Sequence, residues 1–168
     1  MWVGSTLAGL GGQLTIVAIM LHMYDLTAST FAVAMIAVAG LVPMIIAGLY
    51  GGMLADAFDR RRVAIIAASV TFVSTAVLMV LTWSGSETVA WLYAIAVINS
   101  AANSVVMAAR QAIVPRLIPR ELLPAASALG GITMGIMVSV GPAAAGLLVA
   151  FTGYGWTYTI DLVLMSAL

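Results

Sequence analysis

The chain has no cysteine. That excludes a disulfide framework and a thiolate-held metal centre, and it leaves the redox compartment unread. Charge is nearly as scarce: 7% of the 168 residues are Asp, Glu, Lys or Arg, against roughly 25% in soluble domains. There is no lysine, one histidine, and a net charge of +0. No basic surface or charged tail is therefore available for nucleic acid. The opening segment has no basic stretch before a small-residue cleavage site, so a removed signal peptide is not expected. What is present in quantity is apolar side chain, 64% of the residues, and such a composition belongs in a bilayer.

About 20 consecutive apolar residues in a helix cross the roughly 30 Å hydrocarbon layer. Five runs of that length are bounded by turn residues, at 2–23, 31–55, 63–83, 89–109 and 125–151. A sixth, 156–168, is about 20 Å long at ~1.5 Å per residue and is incomplete where the sequence stops. The expected fold is therefore all-α and membrane-embedded, with short connections. Ser29 suits the N-cap of the second helix and Pro124 the first turn of the fifth.

The arginines orient these spans. Arg60, Arg61 and Arg62 lie between spans two and three, and Arg110, Arg116 and Arg120 between spans four and five. The alternate connections hold no basic residue. The positive-inside rule puts both arginine loops and the N-terminus in the cytoplasm, and Asp25, Glu87 and Tyr154 outside. Trp83, Trp91 and Trp156 then mark one interface and Trp2 the other.

The most charged stretch is "GGMLADAFDRRRV", Gly51 to Val63. Gly48 and Gly52 form a small-xxx-small face for close helix approach. Asp56 follows a helix C-terminus, where the macrodipole disfavours an anion, so it calls for a compensating donor. The pattern of Gly52, Leu54, Ala55, Asp56, Arg60, Arg61 and Val63 between the second and third spans resembles the loop signature of the major facilitator superfamily of secondary transporters. Asp59 stands where that signature usually has glycine, and "DRRRV" is similar to the subgroup of the enterobactin exporter and related drug and macrolide exporters. "ARQAIVPRLIPRELLPAASAL" and "WVGSTLAGLGGQLT" extend the resemblance along the chain. It implies that Gly52, Asp56, Arg60 and Arg61 form a gate at the inner face, the aspartate meeting a helix of a second half. It also implies an arginine paired with an acid at the end of span four, where Arg110 and Gln111 stand instead and Glu121 is the substitute. The residues alone leave the arginines equally readable as topology anchors.

Inside the spans, Asn99, Ser100, Asn103 and Ser104 make a polar face on span four. It either lines a cavity or bonds neighbouring helices. Gln13 and Thr15 lie at similar depth on span one, Gln13 after the flexible Gly9, Gly11 and Gly12. Gln13, Asn99, Asn103 and Ser104 are the cargo-facing candidates. Three ionisable groups are candidates for proton coupling: His22 and Asp25 on one side of span one, and Asp161 in span six. His22 is equally readable as an interfacial side chain snorkelling to water. Gly141, Pro142 and Gly146 are a helix-bending set on span five, similar to the glycine-proline motif of facilitator antiporters, and Pro43 with Gly48 weakly mirrors Pro142 with Gly146. Eleven methionines offer either a deformable apolar wall or plain packing.

No HExxH, paired intramembrane aspartate or Gly-x-Ser-Gly turn occurs, so no enzyme, metal or cofactor is expected. The resemblance implies two inverted three-helix repeats forming one half of a transporter in the cell inner membrane, exporting a small amphipathic compound by ion-coupled alternating access. Its partners would be the bilayer, the cargo, and either a C-terminal six-helix half or a second copy of this chain. The rival reading is a half-length membrane protein that homodimerises or serves as a non-transporting assembly unit.

Overall fold

Where the sequence offers an apolar run between turn residues, the chain is helical. In the structure, a computed structural model, residues 2–117, 119, 121 and 123–166 are described, without the side chains of 2–5, 7, 8, 51, 52, 54–57, 60, 110–117, 123 and 126. Helix α1 is Trp2–Thr27, α2 Thr30–Ala57, α3 Arg60–Trp83, α4 Val89–Leu117 and α5 Leu123–Ser166. No strand occurs among the described residues. Among the described residues, four stretches are long and apolar enough to cross a membrane: Thr30–Tyr50, Arg61–Trp83, Val89–Ala109 and Ser127–Ser166. The fold is thus an all-helical membrane fold of the major-facilitator type in part.

The helices outrun the apolar runs that announce them. α3 starts at Arg60 rather than 63, and α4 continues to Leu117 rather than ending at 109. Hydrophobicity stops at the first arginine, but arginine, alanine and glutamine are good helix formers, so the hydrogen-bond ladder continues. The larger difference is in α5, where the expected connection 152–155 shrinks to Gly153. Its φ of 80° and ψ of 175° belong to a region that is essentially glycine's alone. The chain reverses there, giving a first arm, 123–152, and a second arm, 154–166.

The local signals at helix starts behave as expected. Ser29 Oγ accepts from the Ala32 N–H at 3.3 Å, capping α2. Pro124 falls in the first turn of α5. Asp59 is the N-cap of α3, its Oδ1 accepting from the Arg61 N–H at 2.9 Å. That bond explains the acid in the arginine-rich stretch: three cations in a first turn oppose the helix dipole, and the aspartate offsets them.

Side-chain joints fix how the helices run. Tyr93 Oη donates to the Ala32 carbonyl, Ser100 Oγ to Gly40 and Ser104 Oγ to Met44, at 2.7, 2.9 and 2.9 Å, so α2 and α4 run parallel. The first arm of α5 runs parallel to α1 in the same manner. A Cβ on Gly141 would lie 2.6 Å from Gln13 Cβ, and one on Gly9 would collide with Met137. The second arm returns antiparallel along α1, bringing Tyr154 to Asp25, Tyr158 to His22 and Asp161 to Thr15. α2 therefore presses through Gly40 and Gly48 onto α4, and the first arm of α5 presses through Gly141 onto α1.

An apolar cluster of Ala18, Ile19, Met23, Ile36, Leu78, Leu92, Ile95 and Tyr158 fills the bundle toward the Asp25 end. Outward-facing side chains are large and apolar, Phe151 at 83% exposure and Phe31 at 74% among them. In water such a surface would aggregate; in hydrocarbon it is the lipid face. Trp83 and Trp156 meet edge-to-face, with ring centroids 5.6 Å apart, at the end where both were expected at an interface.

Candidate functional site

On the arginine side of the apolar cluster, the five helices surround a cavity of about 730 Å³. That is the size of a small-molecule site. Gln13, Thr71, Thr75, Asn99, Asn103 and Asp161 contribute polar groups to its wall, and six methionines line it: Met20, Met44, Met107, Met134, Met137 and Met165. These six methionines therefore border the cavity, and Met137 also packs against Gly9. Unbranched thioethers give a surface that reshapes around varied apolar ligands.

The polar face of α4 divides between the two uses the sequence left open. Ser74 Oγ donates to Asn99 Oδ1 in a buried joint between α3 and α4. Ser100 and Ser104 bond α2 carbonyls. Those three residues border the cavity but are engaged in holding helices. Asn103 is exposed, and neither its amide nor that of Gln13 has a hydrogen-bond partner among the described residues. The structure thus brings two free amides, from α1 and α4, to one cavity. Gln13 is set there because Gly141 has no side chain to displace it. Gly141 is buried and makes this contact, Pro142 lies inside the helix, and a Cβ on Gly146 would meet nothing within 4 Å.

At the far end, His22 and Asp25 take different partners. His22 is 3% exposed, so it does not snorkel to water. Its Nε2 lies 3.6 Å from Glu87 Oε1, its Nδ1 3.4 Å from Tyr158 Oη, and its ring stacks on Tyr154 at 4.1 Å. Asp25 accepts a hydrogen bond from Tyr154 Oη at 2.5 Å. Glu87, Tyr154 and Tyr158 were not singled out as site residues, and only the orientation pattern, which puts Glu87 and Tyr154 at the same end as Asp25, hints at them. This cluster ties α1, the α3–α4 connection and α5 together beyond the apolar plug.

Asp161 is fully buried on the second arm of α5. Thr15 Oγ1 donates to its Oδ2, while Oδ1 has no partner. Of the gate candidates, Arg61 is exposed at the start of α3; the side chains of Gly52, Asp56 and Arg60, and of Arg110 and Gln111, lie outside the described residues, as do Arg116 and Arg120. Glu121 is exposed. No group of three or more His, Asp or Glu placed to hold a metal occurs among the described residues.

Membrane-length helices around a mid-span cavity, with an apolar lipid face, define a multi-pass membrane protein. The transmembrane secretion effector family matches residues 1–168. The chain belongs to that family, within the major facilitator superfamily. It is also similar to the staphyloferrin A transporter of Staphylococcus aureus, 32% identical over 111 residues, which cover 66% of this chain and 28% of that relative. No solved structure matches it.

Proposed function

We propose that this chain is the N-terminal half of a secondary transporter that exports a small amphipathic compound by alternating access. The carrying observation is the cavity with its two unpartnered amides, Gln13 and Asn103, on a methionine-rich wall. Neutral hydrogen-bond groups on a deformable apolar surface suit a cargo with scattered polar atoms and a large apolar body. No covalent step is required, so no catalytic residue, metal or cofactor is invoked.

The cavity lies on the arginine side of a packed apolar plug, the arrangement of a half open towards one face and closed at the other. By the positive-inside rule that face is the cytoplasm, with the N-terminus inside and the protein in the cell inner membrane. Exit would then require the Asp25 end to part. Gly52, Asp56, Arg60 and Arg61 would hold the inner gate against a C-terminal six-helix half; a second copy of this chain is the alternative partner. The similarity to a siderophore transporter and the "DRRRV" sequence support a cargo among siderophores or drugs of the enterobactin and macrolide exporter kind.

Efflux by the full-length gene in an exporter-deficient host, challenged with siderophores and antibiotics, tests the reading. Lower accumulation of at least one compound is expected. Equal accumulation of every compound with and without the gene, at verified membrane expression, contradicts it.

A further inference from the structure

Two side-chain joints connect α3 to α4 and the second arm of α5 to α1. Ser74 of α3 bonds Asn99 of α4, and both groups are neutral. Asp161, in the second arm of α5, bonds Thr15 of α1. A hydroxyl and an amide suffice for the first joint, so helix packing alone does not call for an acid in the second.

The acid is poorly placed to be charged. It is fully buried and, among the described residues, Thr15 is its single donor and Oδ1 has no partner. The carboxyl is pressed against the α1 backbone at Gly11, where any Cβ would collide with Oδ1. No cation faces it. The arginines lie at 60–62 and 110–120, at the opposite end of the spans from Asp25. On α1, His22 is two turns beyond Thr15 and is held by Glu87 and Tyr158. α3, the other helix packed on α5, has no titratable side chain within 63–83. On α4, Tyr93 is bonded to Ala32. An ionised carboxylate in such surroundings is far costlier than a neutral one.

We propose that Asp161 is a proton-operated latch: protonated, it seats the second arm of α5 against Gly11 and Thr15, and on losing the proton it releases that arm toward the cavity. The inference rests on the transporter reading and assigns the coupling ion and its carrier. When Oδ2 carries the proton it donates to Thr15 Oγ1, reversing the bond that Thr15 makes to the ionised group, and Oδ1 is a carbonyl oxygen, the form least costly to leave unbonded. On release, one proton passes to water in the cavity that Asp161 borders, and the carboxylate regains hydration only by turning away from Gly11. Reprotonation reseats it. One proton is exchanged per cycle and no other reactant is needed.

The test uses the full-length protein in liposomes. Infrared difference spectra over a pH titration are expected to show a protonated-carboxyl band that grows as the pH falls, that Asp161→Asn deletes and that Thr15→Val shifts in frequency. A band unaltered by both substitutions overturns the latch. In flux assays, Asp161→Asn, which copies the shape of the neutral acid, is expected to lose accumulation driven by a pH gradient and to flatten the pH profile. Wild-type gradient-driven accumulation in Asp161→Asn overturns the coupling role. If the wild type moves no cargo under any gradient, the transporter reading fails instead, and the infrared result alone decides the latch.

Discussion

At the residue scale, the proposed transport rests on two amides and one carboxyl. Gln13 and Asn103 are unpartnered at the cavity wall, whereas Ser100 and Ser104 are engaged with α2 carbonyls. Replacing either free amide by alanine removes one hydrogen bond to cargo, about 1 kcal/mol or roughly fivefold in apparent affinity. Initial-rate efflux should therefore show a raised KM for Gln13→Ala and Asn103→Ala with expression unchanged, while Ser104→Ala leaves KM alone. An equal effect at all three positions contradicts the division of the polar face. At the gate, Asp56→Asn is expected to impair efflux without lowering membrane expression; wild-type efflux in that variant removes the gate role. The amides were legible in the sequence because amides at mid-membrane depth are few. Their separation from Asn99 was not, since helical spacing puts Asn99 and Asn103 on one side and only the position of Ser74 on α3 tells them apart.

At the element scale, glycine decides where helices meet and turn. Gly153 makes the reversal between the two arms of α5, and its backbone geometry costs a side-chain-bearing residue about 1–3 kcal/mol. Gly153→Ala should lower the midpoint of thermal unfolding in detergent, whereas Gly146→Ala, where an added Cβ meets nothing within 4 Å, should not. Equal midpoints for Gly153→Ala and the wild type contradict this account of the turn. Sequence reading located the caps at Ser29 and Pro124 well, because a cap is a local event of one side chain and a few backbone groups. It placed helix ends poorly wherever polarity and helix propensity diverge, as at Arg60 and beyond Ala109. It also left Asp59 as a mere departure from a motif, although its side chain caps the arginine-bearing helix.

For the whole molecule, asymmetry between the two ends is the central feature. One end is sealed by the apolar cluster and tied by the His22, Glu87, Tyr154 and Asp25 contacts; the other carries the arginines, and the cavity lies on its side. The membrane class was fixed by composition, but the position of the cavity along the spans depends on which faces meet, and that emerges only from packing. Because the chain has no cysteine, single introduced thiols report cleanly on access. The most direct measurement is labelling of Asn103→Cys in the full-length protein, on a background free of other cysteines, with a membrane-impermeant thiol reagent applied to right-side-out and inside-out vesicles. Labelling from the cytoplasmic side, slowed by transported cargo, is the predicted result. A thiol at 103 that reacts from neither side, or whose reaction no transported cargo slows, contradicts a cargo cavity on the arginine side of the plug.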